Sequence, residues 1–328
     1  MFESKTGVLC CGVLLACASA ASFGQQAVKD YPSRPIRVAV PFVPGGTMDF
    51  IGHNLAPKLA RALGQNLFVD NRSGAGGAIG TDAVAKSPPD GYTILLMSSG
   101  HTSLPSVSKN LPYDPVKDFA PITLAVRNVG NLLIIHPSVP ARSVQQLIAL
   151  AKAHPGKLSY GSGGVGHVMH FSAESFNMMA GIRMMHVPYK GLGQAMIDLI
   201  AGRIELTFSS TATGLPHVRS GKLRVLGISA PARWSELPDV PTIAESGLKG
   251  YAYLVWYGLW FPAGVPADYV TRIRAEVIKA FEDAGTERRF VEEGLIPVVS
   301  TPQEFSQTIV EGIELHRRLA ARMGLTAQ

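Results

Sequence analysis

Apolar positions along this chain switch between two periods: short runs of branched and aliphatic residues, and longer stretches with an apolar residue every three or four positions. The first pattern reads as strand and the second as helix. Strands are predicted at Ile36–Val40, Thr93–Met97, Leu132–Ile135, Leu158–Gly161, Met184–Val187, Ile204–Phe208, Leu223–Ile228, Tyr253–Phe261 and Ile296–Val299. Between Met48 and Leu63 the residues Ile51, Leu55, Leu59 and Leu63 fall on one helical face, and Gly64 follows as a C-cap. Pro57 removes a backbone donor inside that helix and predicts a kink. Capping boxes at Ser143–Gln146, Thr242–Glu245 and Thr301–Glu304 mark further helix starts, the last with Pro302 at the first helical position. The last helix turns Phe305, Ile309, Ile313, Leu319 and Met323 toward a core.

Strands alternating with helices in this way predict an α/β fold with a mainly parallel sheet in each layered unit. The chain length suits two modest lobes, yet no Ser/Pro-rich linker, repeat or low-complexity tract divides it. The lobes must therefore be interleaved. Crossings are expected near Val126–Gly130 and Gly247–Tyr251, giving one lobe from residues 32–128 and 248–328 and the other from 129–247.

The amino terminus sets the compartment. Lys5, an apolar run from Gly7 to Ala16 and the small-residue exit Ala18-Ser19-Ala20 read as a signal peptide over residues 1–20, which directs the remainder to the periplasm. Leu14-Leu15-Ala16-Cys17 also fits a lipoprotein cleavage box that would leave a lipid anchor on Cys17. All 3 cysteines lie in this segment, so the exported part has no disulfide, thiolate nucleophile or cysteine metal site. The formal charge of +6 is spread along the chain without a basic stripe, which argues against nucleic acid as a partner.

Candidate chemistry sits on Gly-rich turns between strands and helices. Pro41-Phe42-Val43-Pro44-Gly45-Gly46-Thr47-Met48-Asp49 runs from a buried strand into a helix, where free N–H groups and the helix dipole suit an anion. Phe42, Gly45, Gly46, Thr47 and Asp49 are the candidate contacts, Asp49 also being placed to fasten the loop. A second such turn, Gly161-Ser162-Gly163-Gly164-Val165-Gly166-His167, matches the dinucleotide spacing G-x-G-x-x-G. The next strand ends in Pro188-Tyr189-Lys190 without the carboxylate that would hold a ribose, so a carboxylate-binding turn is preferred, with Ser162, Gly163, Gly164 and His167 as contacts and no cofactor expected. A third piece, Asp70 to Gly80, serves either a ligand or close packing, and Arg72 either a ligand carboxylate or Asp70. Ser98 and His101 lie at the carboxyl end of a strand, a usual place for polar readout in α/β folds. His167 and His170 share a helical turn, but no third ligand stands at metal spacing. No nucleophile elbow is present.

These pieces resemble the substrate-binding proteins of tripartite tricarboxylate transporters, the Bug-type receptors. The resemblance spans the mature chain and rests on Pro41 to Asp49, Asn71 to Gly77, Leu111-Pro112-Tyr113-Asp114-Pro115, His186 to Gly191, Gly221-Lys222-Leu223-Arg224 and Pro238-Asp239-Val240-Pro241-Thr242. It implies a two-lobed, type II-like flytrap that holds a ligand carboxylate at the two Gly-rich loops, from Phe42 to Asp49 and from Ser162 to His167. Family members often carry an aspartate where Ser209 stands and an arginine where His53 stands. Ser209 is thus expected in the distal pocket, favouring a second carboxylate or a neutral ring. The function implied is receptor for a small organic carboxylate, serving a membrane transporter component or a sensor protein. The alternative is a secreted hydrolase or isomerase using the same cleft, with Asp49 as the one acid available to it.

Overall fold

The computed structural model describes residues 31–325, so the signal segment and Cys17 lie outside the described residues. Strands β1 (Ile36–Val40), β2 (Leu67–Asn71), β3 (Thr93–Ser98), β4 (Phe119–Asn128), β10 (Trp256–Pro262) and β11 (Leu295–Pro297) form one sheet, in the order β11-β4-β10-β3-β1-β2. Strands β5 (Asn131–Ile135), β6 (Ser159–Ser162), β7 (Met185–Pro188), β8 (Leu206–Ser210) and β9 (Arg224–Ile228) form the other, in the order β7-β6-β8-β5-β9. Helices pack on both sheets, and the result is a two-lobed α/β molecule.

The chain passes from the first sheet to the second between Asn128 and Asn131. It returns between Ile228 and Trp256, a span that contains the expected Gly247–Tyr251, and within it Tyr253 N–H donates to the Ser229 carbonyl at 2.8 Å. Side chains tie the two crossings together. Asn128 Oδ1 accepts from Val255 N–H at 2.8 Å, Asn128 Nδ2 donates to Asn131 Oδ1 at 2.8 Å, and Ser229 Oγ donates to the Tyr253 carbonyl at 2.6 Å.

The sheets are mixed rather than mainly parallel. Only β1 with β2 and β3, and β6 with β7 and β8, run parallel. β10 pairs antiparallel with β3 and β4, β11 with β4, and β5 with β8 and β9.

β4 has no counterpart among the predicted strands. Pro121, Thr123 and Arg127 break its apolar pattern, yet it pairs on both sides, and its register with β10 shifts twice. Pro121, which has no N–H to give, stands beside one of these irregularities, where a missing ladder bond is tolerated.

The first helix spans Thr47–Leu63 and ends on Gly64 in the left-handed region (φ 68°), as expected. It continues through Pro57, where a kink was expected, as a single helix. Both Pro57 and His53 face solvent, where water can satisfy the carbonyl that the proline leaves free.

Candidate functional site

Three helix N-termini meet between the sheets. They belong to helices Thr47–Leu63, Val168–Ala180 and Leu192–Ile200, preceded by Gly46, His167 and Gly191. The space they enclose holds about 30 Å³ and is lined by Phe42, Gly46, Thr47, Ser98, His167 and Tyr257, with Val43, Met48, Val168, Met169, Leu192 and Gly193 completing the wall. No residue of that wall carries a formal charge. The positive potential here comes from aligned peptide dipoles and unpaired N–H groups at helix starts.

The first loop is built to leave those groups open. Gly45 takes φ +89°, a conformation L side chains rarely adopt. Gly46 lies at φ −93°, and a Cβ there would have no atom within 4 Å. Asp49 fastens the loop from inside: its Oδ2 accepts from Gly45 N–H at 3.0 Å and its Oδ1 from Asn71 Nδ2 at 3.1 Å. Asn71 Nδ2 also donates to the Phe42 carbonyl at 3.0 Å, so the loop hangs on the end of β2. Both Asp49 oxygens are thus engaged by the protein, and the residue does not line the space.

In the second loop, Ser162 is buried and points away from the space, its Oγ hydrogen-bonded to His186 Nε2 at 2.6 Å and accepting from Gly164 N–H at 3.1 Å. Gly163 is required by its neighbour, since a Cβ there would lie 2.7 Å from the His167 ring. Gly164, at φ +118°, lies against Gly76 of the other lobe, where a Cβ would come within 3.4 Å of the Gly76 Cα. The third Gly-rich piece therefore serves close packing between the lobes, and a Cβ at Gly76 would overlap the Val165 carbonyl oxygen. Arg72 pairs with Asp70 at 2.8 Å and stays outside the site.

His167 does face the space. Its Nδ1 accepts from Met169 N–H at 3.2 Å, which assigns the ring proton to Nε2. Burial first, and His186 second, push its pKa down to about 4, so at neutral pH it is an uncharged donor. Burial likewise raises the Tyr257 hydroxyl to about 12 and keeps it protonated. Thr47 Oγ1 donates to Ser210 Oγ at 2.6 Å, a direct bond between the lobes, and Ser210 in turn caps the helix Thr211–Arg219.

Two expected contacts lie elsewhere. His101 is fully buried below β3, its Nε2 bonded to the Pro115 carbonyl at 2.8 Å and its ring packed on Trp260 and Phe119. Ser209 turns its Oγ toward Ser210 O at 3.1 Å and packs against Gly214. A strand alternates faces, so the neighbour Ser210 reaches the lobe junction and Ser209 does not. Sequence reasoning missed Tyr257, Leu192 and Gly193. The Gly191-Leu192-Gly193 run repeats the strand, glycine and helix-start signal of the first loop, whereas Tyr257 is brought in by a sheet pairing opposite Ser98.

Comparison with known proteins follows the same lines. Residues 51–325 match the family model described as the tripartite tricarboxylate transporter family receptor. The chain is 35% identical over 309 residues to Protein BugT of Bordetella pertussis, covering 92% of this chain and 93% of that one. Among solved structures, periplasmic binding protein BugD superposes with a TM-score of 0.87 at 31% identity, covering 91% of this chain and 100% of that one. Rpa4515 of R. palustris, solved with adipate, gives a TM-score of 0.87 at 34% identity over 91% and 100% of the two chains. With its two lobes, its closed cleft and a match across most of its length, the chain belongs to the tripartite tricarboxylate transporter receptor family, the Bug-type periplasmic binding proteins.

Proposed function

We propose that the protein is a periplasmic receptor for a small dicarboxylate, held through one carboxylate by backbone N–H groups at the cleft and delivered to a membrane transporter component or a sensor. The observation that carries this reading is a cleft with no charged side chain, ringed by three helix N-termini. Such a site selects an anion by fixed dipoles and offers a cation nothing. A micromolar affinity needs about −8 kcal/mol. Helix termini at about 0.3–2 kcal/mol each, with several charge-assisted bonds at about 1.5–3 kcal/mol, supply that after ordering costs.

The adipate bound by the relative Rpa4515 supports the dicarboxylate class. The cleft as it stands, at about 30 Å³, is far smaller than an ordinary ligand pocket of about 300 Å³ or more, so a diacid enters only when the lobes part and re-close around it. A transported solute leaves unchanged. The engagement of both Asp49 oxygens within the loop supports a receptor over the hydrolase or isomerase reading, because no carboxylate faces the space as a general base.

The test is a native mass spectrum of the gently purified mature protein, followed by calorimetric titration with C4 to C6 diacids, monoacids and aromatic acids. Saturable binding confined to the diacids, with the acid recovered intact, is the expected result. Binding of cations or neutral sugars in preference to every acid would overturn the reading.

A further inference from the structure

The ends of β3 and β10 carry two sites, one on each side. Ser98 and Tyr257 are paired in register and line the cleft. The next pair, Ser99 and Trp256, joined by Ser99 N–H to the Trp256 carbonyl at 2.8 Å, lines a separate cavity of about 480 Å³ on the opposite side. Its remaining walls come from both lobes. Met178 and Met179 belong to the helix Val168–Ala180, Leu315 and Leu319 to the helix Pro302–Arg322, and Leu254 to the returning crossing. It shares no residue with the cleft.

Three features make this more than a packing gap. The walls are mainly apolar and rich in methionine, a side chain that adapts to the shape of an occupant. Arg322 is the only formally charged residue of the lining, and its guanidinium meets no carboxylate among the described residues. Ser99, 3% exposed, has an Oγ with no hydrogen-bond partner among the described residues, an arrangement that buried hydroxyls seldom tolerate. His316, also in the wall, is already engaged through Nε2 with the Tyr253 hydroxyl at 3.1 Å. Beyond Arg322 and Met178 a second cavity, of about 660 Å³, continues toward Arg183 and Glu174, whose opposite charges add no net charge there.

We infer that this cavity behind the crossings is a second ligand site, taking an amphiphilic organic anion whose apolar body lies among the methionines and leucines and whose acidic group meets Arg322. It differs from the cleft in its size and in carrying a charged side chain. There the proposed anion would meet backbone dipoles in a small space without a charged side chain, whereas here one guanidinium stands at the edge of a larger one.

The test uses the mature full-length protein and the fluorescent probe 1-anilinonaphthalene-8-sulfonate, which joins an apolar two-ring body to one anionic group. Saturable binding with one probe per chain is expected. Arg322→Ala should weaken it by roughly tenfold, the loss of one charge-assisted contact. Leu315→Trp, at a half-exposed position that tolerates a larger side chain, should weaken it further by filling the cavity. Thermal melting of both variants verifies folding. Gly46→Val, which obstructs the cleft, should leave the probe's affinity within about twofold, a span well under 1 kcal/mol. Binding indifferent to both Arg322→Ala and Leu315→Trp, more than one probe per chain, or loss of the probe in Gly46→Val would each overturn the inference, the last by placing the probe in the cleft.

Discussion

At the scale of single residues, the site depends on what is missing at Gly46. Its φ of −93° suits any L residue and a Cβ there meets nothing within 4 Å, so Gly46→Val should fold. The loss of a glycine N-cap costs at most about 1 kcal/mol. Acid binding should fall below detection, because the new side chain occupies the space in front of the first helical N–H groups; calorimetric titration beside a melting curve measures both effects. Asp49→Ala acts on the same loop from within. Gly45 N–H loses its acceptor and Asn71 Nδ2 keeps only the Phe42 carbonyl, and a cost of about 1–3 kcal/mol in stability is expected by denaturant unfolding. The buried imidazoles set a pH limit. Burial lowers the pKa of His101, His167, His186 and His316 to about 4 and that of His170 to about 3, against an unfolded value near 6.5. The unfolded chain takes up these protons first as pH falls. Stability is therefore complete above about pH 6.5 and declines from there toward pH 4. Calorimetric melting across that range should show a falling midpoint, and a flat profile would mean the rings are not held neutral.

Elements follow their local signals wherever one face decides the packing. The capping box at Thr301 forms as written, with the Thr301 side chain accepting from Glu304 N–H and Glu304 reaching back, and Phe305 then enters the core. That entry depends on β10: a Cβ at Gly258 would overlap the Phe305 ring, so this strand glycine is a packing requirement that no local pattern reveals. Gly258→Ala should destabilise the protein by about 1–3 kcal/mol through overpacking, read as a lower denaturant midpoint at unchanged slope. Thr242 and Glu245 form both capping hydrogen bonds, at 3.0 and 2.8 Å, yet the chain continues as turns. Capping satisfies the first donors of a helix but does not supply the apolar stripe that sustains one. β4 is the opposite case, a strand with a weak local pattern that forms because β10 and β11 pair with its two edges.

The whole molecule is held closed by contacts across the cleft. Thr47 binds Ser210, Phe42 meets the edge of the His167 ring at 5.2 Å, and Ser103 Oγ donates to the Gly166 carbonyl at 2.6 Å. These bonds form only when the lobes meet, so they add to ligand affinity in the closed form and are lost on opening. Ser210→Ala removes both the cross-lobe bond and the acceptor for Thr213 N–H. A net loss of about 0.5–1.5 kcal/mol in closure predicts diacid binding weaker by roughly two- to tenfold, carried mainly by a faster off-rate in stopped-flow measurements.

Much of this protein was legible in its sequence, and the boundary is physical. Strand and helix periods, the Gly64 cap and the glycine loop at Phe42–Asp49 are local, because a backbone conformation or one amphipathic face requires particular residues within a few positions. The motifs carrying the resemblance are local in the same sense, and the family match over residues 51–325 bears the resemblance out. Which polar residues reach the cleft was not local. His101 and Ser209 stand at strand ends in sequence but turn into the core, while Tyr257 reaches the cleft only because β10 pairs with β3 from more than a hundred and fifty residues away. The sequence by itself determined most of the elements and the glycine turns between them, because these depend on neighbouring residues alone. The tertiary structure alone decided which face each strand shows to the cleft, and that a mixed sheet, a third helix terminus and a separate cavity behind the crossings arise where the chain passes between lobes.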